Sequence, residues 1–146
     1  QNFLQDQCIP FDTVVHPPAF TSQKLARFLH VPGKLVMKSV LLRGPRRFYL
    51  ALLPASAHLD LEKLALQLME PVGLASEDEM ADFFRDCERG SMTPFGSLYG
   101  LTTLLDDGIS PDTPILFKAE SHAVAIRMSC RDFEMLEKPR RLRLRR

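Results

Sequence analysis

Apolar positions in this 146-residue chain recur in short blocks that switch between a period of two and a period near 3.6. A short amphipathic opening through Phe3, Leu4 and Cys8 ends at Pro10, and Phe11 to His16 reads as a strand stopped by Pro17-Pro18. Ser22 to His30 places Leu25, Phe28 and Leu29 on one helical face, with Pro32-Gly33 as its terminator. Leu35 to Arg43 and Arg47 to Leu53 are β-rich runs joined by Gly44-Pro45-Arg46, which predicts a hairpin. Asp60 is placed to cap a helix carrying Leu61, Leu64, Ala65, Leu68 and Met69 on one face. Ser76 and Glu79 form a capping box for a second helix with Met80, Phe83 and Phe84. Leu101 to Leu105, Ile115 to Lys118 and His122 to Met128 read as strands, and Ser129 caps a last helix running to Leu136, closed by Pro139. Strands and helices mix without regular βαβ alternation, so the pattern predicts an α+β fold with a mixed, curved, barrel-like sheet and flanking helices. With no repeat, linker or low-complexity tract, residues 1–139 read as a single domain and 140–146 as a basic C-terminal tail.

Composition narrows the class. Apolar content of 45% and charged content of 25% fit a globular domain, and no apolar run approaches the ~20 residues of a membrane span. Cys8, Cys87 and Cys130 are odd in number and lack CxxC spacing, which favours reduced thiols and a cytoplasmic location over a disulfide framework or zinc site. The four scattered histidines offer no metal cage, and neither metal nor cofactor is expected. Oligomeric state is not readable from the pattern.

The net charge of +1 conceals segregation. Thr13 to Leu59 holds seven basic residues and no acid, whereas Asp60 to Gly90 holds nine acids against three bases. Arg140 to Arg146 contains five arginines, and without them the chain falls from +1 to −4. A basic section on an acidic body suggests a footprint for a polyanion, unless the charges interleave in space and cancel.

Three places carry candidate chemistry. Gly90-Ser91-Met92-Thr93-Pro94-Phe95-Gly96 has two glycines bracketing a proline and two hydroxyl residues, a composition able to present backbone N–H groups to an anion or carbonyl, or to serve as a plain helix-to-strand connection. Lys38 interrupts a strand face of Val36, Val40 and Leu42. Such an ammonium holds a phosphate or polarises an ester carbonyl, or else snorkels at a sheet edge. His122 opens a strand in which Arg127 shares a face with Ala123, Ala125 and Ser129, and an internal ion pair is the simplest reading of Arg127. Neither a G-x-S-x-G elbow nor a G-x-x-x-x-G-K-[ST] loop is present, and none of the cysteines sits in a nucleophile motif.

In order along the chain, Val31-Pro32-Gly33-Lys34 followed by Lys38, the Gly90–Gly96 loop, and Ser121-His122 leading into Ile126-Arg127-Met128-Ser129 resemble the bacterial trans-editing aminoacyl-tRNA deacylases of the YbaK/prolyl-tRNA-synthetase-associated domain family. Leu53-Pro54-Ala55, Leu74-Ala75-Ser76 and Tyr99-Gly100-Leu101 extend the likeness over roughly Val15 to Pro139. The resemblance implies hydrolysis of the ester joining a wrong, small amino acid such as Ala, Cys or Ser to the 3′ adenosine of a tRNA. Lys38 matches the family's functional lysine, and Gly90 and Pro94 match its GxxxP loop. On this reading Lys38, Gly90 and Ser91 carry catalysis, while Met92, Thr93, Pro94, Phe95, Gly96, Ser39 and His122 bind substrate. The family uses water or a group on the substrate as nucleophile, in keeping with the lack of a triad. Ser39 stands where relatives often carry Thr or Asn, and Glu120 where they commonly carry glycine. The implied partners are a mischarged tRNA acceptor end and an aminoacyl-tRNA synthetase, with no membrane. Two rival readings are a non-catalytic tRNA- or synthetase-binding module, and a hydrolase of other small esters or amides.

Overall fold

The computed structural model describes residues 12–15, 35–84, 94–118 and 124–146. Their elements run β1 (Asp12–Val15), β2 (Met37–Arg43), β3 (Phe48–Pro54), α1 (Leu61–Leu68), β4 (Gly73–Leu74) and α2 (Glu77–Phe83). A 3-10 turn (Gly96–Tyr99), β5 (Thr102–Asp106), β6 (Pro114–Lys118), β7 (Val124–Ser129), α3 (Cys130–Glu137) and β8 (Arg140–Leu142) follow. The expected helix over Ser22–His30 and the amphipathic opening lie outside the described residues.

Local chemistry sets most element ends. Gly44-Pro45-Arg46 turns β2 back antiparallel onto β3, with Met37 opposite Pro54 and Arg43 opposite Phe48. The Asp60 carboxylate accepts from the Lys63 N–H at 3.0 Å, and Ser76 and Glu79 close a reciprocal capping box. Each satisfies backbone donors that a helix start leaves orphaned. Ser129 likewise caps α3, accepting from the Asp132 N–H at 3.1 Å.

The strands form two sheets, in the orders β1-β7-β6 and β4-β2-β3-β5-β8, with β3–β5 and β5–β8 parallel and the other pairs antiparallel. The barrel-like sheet expected from the sequence is thus a mixed α+β arrangement in which the described strands do not close. The sheets meet instead through an isolated parallel bridge between Val36 and Leu116. Central β3 is buried from Tyr49 to Pro54, because both faces of its sheet are covered. One face holds Met37, Leu52 and Leu105 against Ile126, Met128, Phe117, Phe95 and Phe133. The other holds Leu42, Ala51, Leu53 and Leu104 against Leu64 of α1. Phe84 and Leu101 join Leu41 and Leu50 in a third cluster.

Residues 140–146, read from the sequence as a tail, are built into this core. β8 pairs with β5, and Leu144 is fully buried in the α1-side cluster. Gln67 of α1 donates to the Arg143 carbonyl at 2.8 Å and accepts from the Arg143 N–H at 2.9 Å. The Asp60 N–H donates to the Leu144 carbonyl at 2.8 Å, and the Arg146 N–H to the His58 carbonyl at 2.9 Å. Beneath the segment lies Asp106, with no solvent exposure. Its carboxylate accepts from the Leu144 N–H at 3.1 Å, the Gly108 N–H at 3.2 Å and the Arg145 Nε at 2.8 Å. Leu142 and Leu144 are the apolar positions that the five arginines mask in the sequence.

Candidate functional site

Lys38 lies in β2, opposite Leu53 of β3. Its neighbours on alternate positions, Val40 and Leu42, pack on the α1 side, and the lysine follows them: Nζ donates to the Ala57 carbonyl at 2.5 Å. Ala57 belongs to the turn after β3, held by its own N–H on the Pro54 carbonyl and by Ala55 N–H on the Val36 carbonyl. Burial lowers the ammonium below the ordinary lysine value of 10.5. Its partner among the described residues is thus a neutral dipole, which uses one of three N–H donors. Ser39, half-buried opposite Leu52, alternates onto the Met37 face.

The second half of the glycine-proline loop is firmly anchored. Pro94, Phe95 and Gly96 are all buried. The Phe95 ring meets Phe117 edge-on with centroids 5.4 Å apart and lies 5.8 Å from Phe133. The 3-10 turn Gly96–Tyr99 then carries the chain to Gly100, whose φ of +71° suits glycine. Its tether is Glu137 at the end of α3, only 9% exposed. That carboxylate accepts from the Ser97 N–H at 2.6 Å, the Ser97 hydroxyl at 2.8 Å and the Thr103 hydroxyl at 2.9 Å. A loop, a strand and a helix thus converge on one anion.

Gly96 is required for this approach. A Cβ there would stand 2.6 Å from Thr103 Oγ1 and 3.3 Å from Leu101 Cβ. Thr103 cannot yield, since it is buried and bound to Glu137. Gly96→Ala is expected to lower stability by about 1–3 kcal/mol, checked by thermal or denaturant melting.

Of the residues singled out in the sequence, Lys38, Ser39, Pro94, Phe95 and Gly96 are placed, whereas Gly90, Ser91, Met92, Thr93 and His122 lie outside the described residues, as does Glu120. Phe95 belongs to the cluster on the Met37 face, while the Lys38 ammonium turns to the α1 side. Arg127 is exposed, which corrects the internal ion pair expected of it; Ile126 and Met128 take the core-facing positions of β7. Cys130 is a buried free thiol pushed up to about 11, first by burial and then by Glu134, so it is a poor nucleophile at neutral pH. Glu137 and Thr103 were not legible as site residues. The one local signal, Glu137 as an acid two residues before Pro139, is indistinguishable from a solvated helix end.

No described helix is long and apolar enough to cross a membrane. A family model described as an aminoacyl-tRNA editing domain matches residues 16–136. Among solved structures, the hypothetical protein APE2540 superposes with a TM-score of 0.90 at 13% identity, covering 99% of this chain and 97% of its own. A candidate trans-editing enzyme for prolyl-tRNA synthetase gives a TM-score of 0.81 at 19% identity, covering 93% and 87%. A candidate signal transduction protein from Marinobacter aquaeolei VT8 gives 0.76 at 18% identity, covering 99% of this chain but 29% of its own. These likenesses establish a shared fold. No curated protein matches the sequence.

Proposed function

The chain belongs to the aminoacyl-tRNA editing domain family, and from that premise we propose that it hydrolyses the ester of a mischarged tRNA carrying a small amino acid such as Ala, Cys or Ser. Water adds to the ester carbonyl, the bond to the ribose oxygen breaks, and that oxygen leaves as the adenosine hydroxyl with a proton. Lys38 holds the terminal phosphate or the carbonyl oxygen with its remaining N–H donors. Backbone N–H groups at Gly90 and Ser91 stabilise the developing oxyanion, one such donor being worth about 3 kcal/mol in other enzymes. Met92 and Thr93, with Ser39 and His122, bound the acyl and adenosine pockets, while buried Pro94, Phe95 and Gly96 anchor the chain behind them in the core. Because one methylene changes binding by only about 1–3 kcal/mol, the pocket rejects the larger cognate side chain by size with moderate selectivity.

The observation that carries this reading is the half-buried ammonium of Lys38, held by the neutral Ala57 carbonyl within a family whose substrate is anionic. The test is a panel of purified mischarged tRNAs, beginning with alanyl-, cysteinyl- and seryl-tRNA, followed by ester loss. Lys38→Ala is expected to reduce kcat/KM by about 10²-fold or more. If wild type clears no substrate faster than this variant, the enzymatic reading fails.

Titration supplies a second arm. Above the lowered value the amine is neutral, so activity corrected for spontaneous hydrolysis is expected to fall on an alkaline limb below 10.5. Lys38→Arg moves that limb upward. The sign for folding is opposite: between the lowered folded value and 10.5 the unfolded chain binds more protons, so this residue's contribution to stability rises with pH across that window.

A further inference from the structure

We infer that the C-terminal segment is a phosphate-binding rail that guides the acceptor arm of a tRNA toward Lys38. The inference deepens the deacylase reading and rests on it for the identity of the polyanion. Two of the five arginines are consumed internally: Arg141 is paired with Glu134 and donates to the Ile109 carbonyl at 2.8 Å, and Arg145 is paired with buried Asp106 at 2.6 Å. The other three, Arg140, Arg143 and Arg146, are exposed, and none has an ion-pair partner among the described residues. They recur every third residue along the edge of the sheet, so in extended chain Arg140 and Arg146 share one face and Arg143 takes the other, on a backbone fixed by β5, Gln67 and the His58–Asp60 turn. At about 3.3 Å per residue in extended chain, the row spans roughly 20 Å.

Its two ends give the row a direction. Arg140 and exposed Arg47 of the β2–β3 hairpin both act electrostatically on the Tyr49 hydroxyl. β8 runs parallel to β5, itself parallel to β3; Arg140 pairs with Leu104 and Leu104 with Ala51, so the arginines lead from the level of mid-β3 toward its far end. There the Arg146 N–H binds the His58 carbonyl, one residue from the Ala57 carbonyl that holds Lys38. The segment therefore ends one residue from the turn that holds the candidate catalytic ammonium. Acids near it are engaged or peripheral: Glu70 is bound by Tyr49 and Asp60 caps α1, while Glu62 flanks the hollow lined by Arg146. A backbone already fixed leaves only the arginine side chains to be ordered on meeting phosphates, and each contact releases counterions.

The test combines Arg140→Gln, Arg143→Gln and Arg146→Gln, with Arg131→Gln, an exposed arginine paired to Asp112, as a control away from the row. Unchanged melting confirms that the triple variant folds. Binding of uncharged tRNA is measured across salt concentrations, and hydrolysis is compared on charged tRNA and on an aminoacyl ester of adenosine. The triple variant is expected to flatten the log–log salt slope by about 2 to 3, each lost contact contributing roughly 0.7 to 0.9. Its kcat/KM ratio of tRNA over the adenosine ester should fall at least tenfold, while the control keeps both slope and ratio. A slope and ratio equal to wild type overturn the rail and leave the deacylase reading intact. Wild type that binds tRNA through these arginines yet clears no ester overturns the deacylase reading and leaves the rail, now in a binding module.

Discussion

Arg145→Met is expected to cost about 3–5 kcal/mol, the penalty typical of stripping a buried charge of its partner. Asp106 is completely enclosed, and its second oxygen receives both the Arg145 Nε at 2.8 Å and the Arg145 Nη2 at 2.6 Å. Without the guanidinium, that carboxylate keeps the Leu144 and Gly108 N–H groups alone. The measurement is the denaturant midpoint, which should drop with an unchanged m-value. Adding Asp106→Asn should recover part of the loss, because an amide still accepts from the Leu144 N–H and has no charge to leave unpaired. Deleting residues 140–146 is more severe. It removes Leu142 and Leu144 from the core together with every contact that Asp106 and Gln67 make to the segment. Against a total stability of about 5–15 kcal/mol for an ordinary domain, the truncated chain is expected to show no cooperative transition at 37 °C. A truncation that melts like the full chain would refute the role given to this segment.

Glu137→Ala should rank next, at about 3 kcal/mol, since it leaves the buried Thr103 hydroxyl and the Ser97 N–H without their acceptor. Glu137→Gln keeps that oxygen, and its amide N–H₂ can donate to the Ser97 hydroxyl, so most of the stability should return. Hydrogen exchange at Ser97 distinguishes the two: protection is expected to vanish in the alanine variant and persist in the glutamine one. Because this carboxylate tethers the chain leaving the Gly90–Gly96 loop, ester hydrolysis should follow the same order. A glutamine variant as damaged as the alanine variant would mean that the negative charge itself, rather than the hydrogen-bond geometry, is required.

Features governed by neighbours in sequence were legible. The Asp60 cap, the Ser76–Glu79 box and the Ser129 cap each span three residues, and the hairpin follows from its own turn. Lys38 stood out because an ammonium interrupts an apolar strand face, and the structure gives it a half-buried place on that strand. What escaped notice depends on distant partners. Glu137 meets Ser97 and Thr103 across 40 and 34 residues, and Asp106 meets Leu144 and Arg145 across 38 and 39. Nothing in local periodicity separates such carboxylates from solvated ones. The arginine run misled for the same reason, since Arg141 and Arg145 find their acids only after folding. The mixed α+β class was legible, but closure was not: a continuous apolar run such as β3 marks two covered faces without saying where two sheets part.

Docking of β8 also decides the fate of chains that have not completed it. Until the segment arrives, β5 presents the outer edge of a largely apolar sheet, with unpaired N–H and C=O groups open to any strand of another molecule. The element that closes this edge also brings Arg140 and Arg143, whose repulsion between copies disfavours intermolecular pairing at that place. Aggregation during refolding should therefore rise steeply when the arginines are neutralised, even where the finished fold is scarcely less stable.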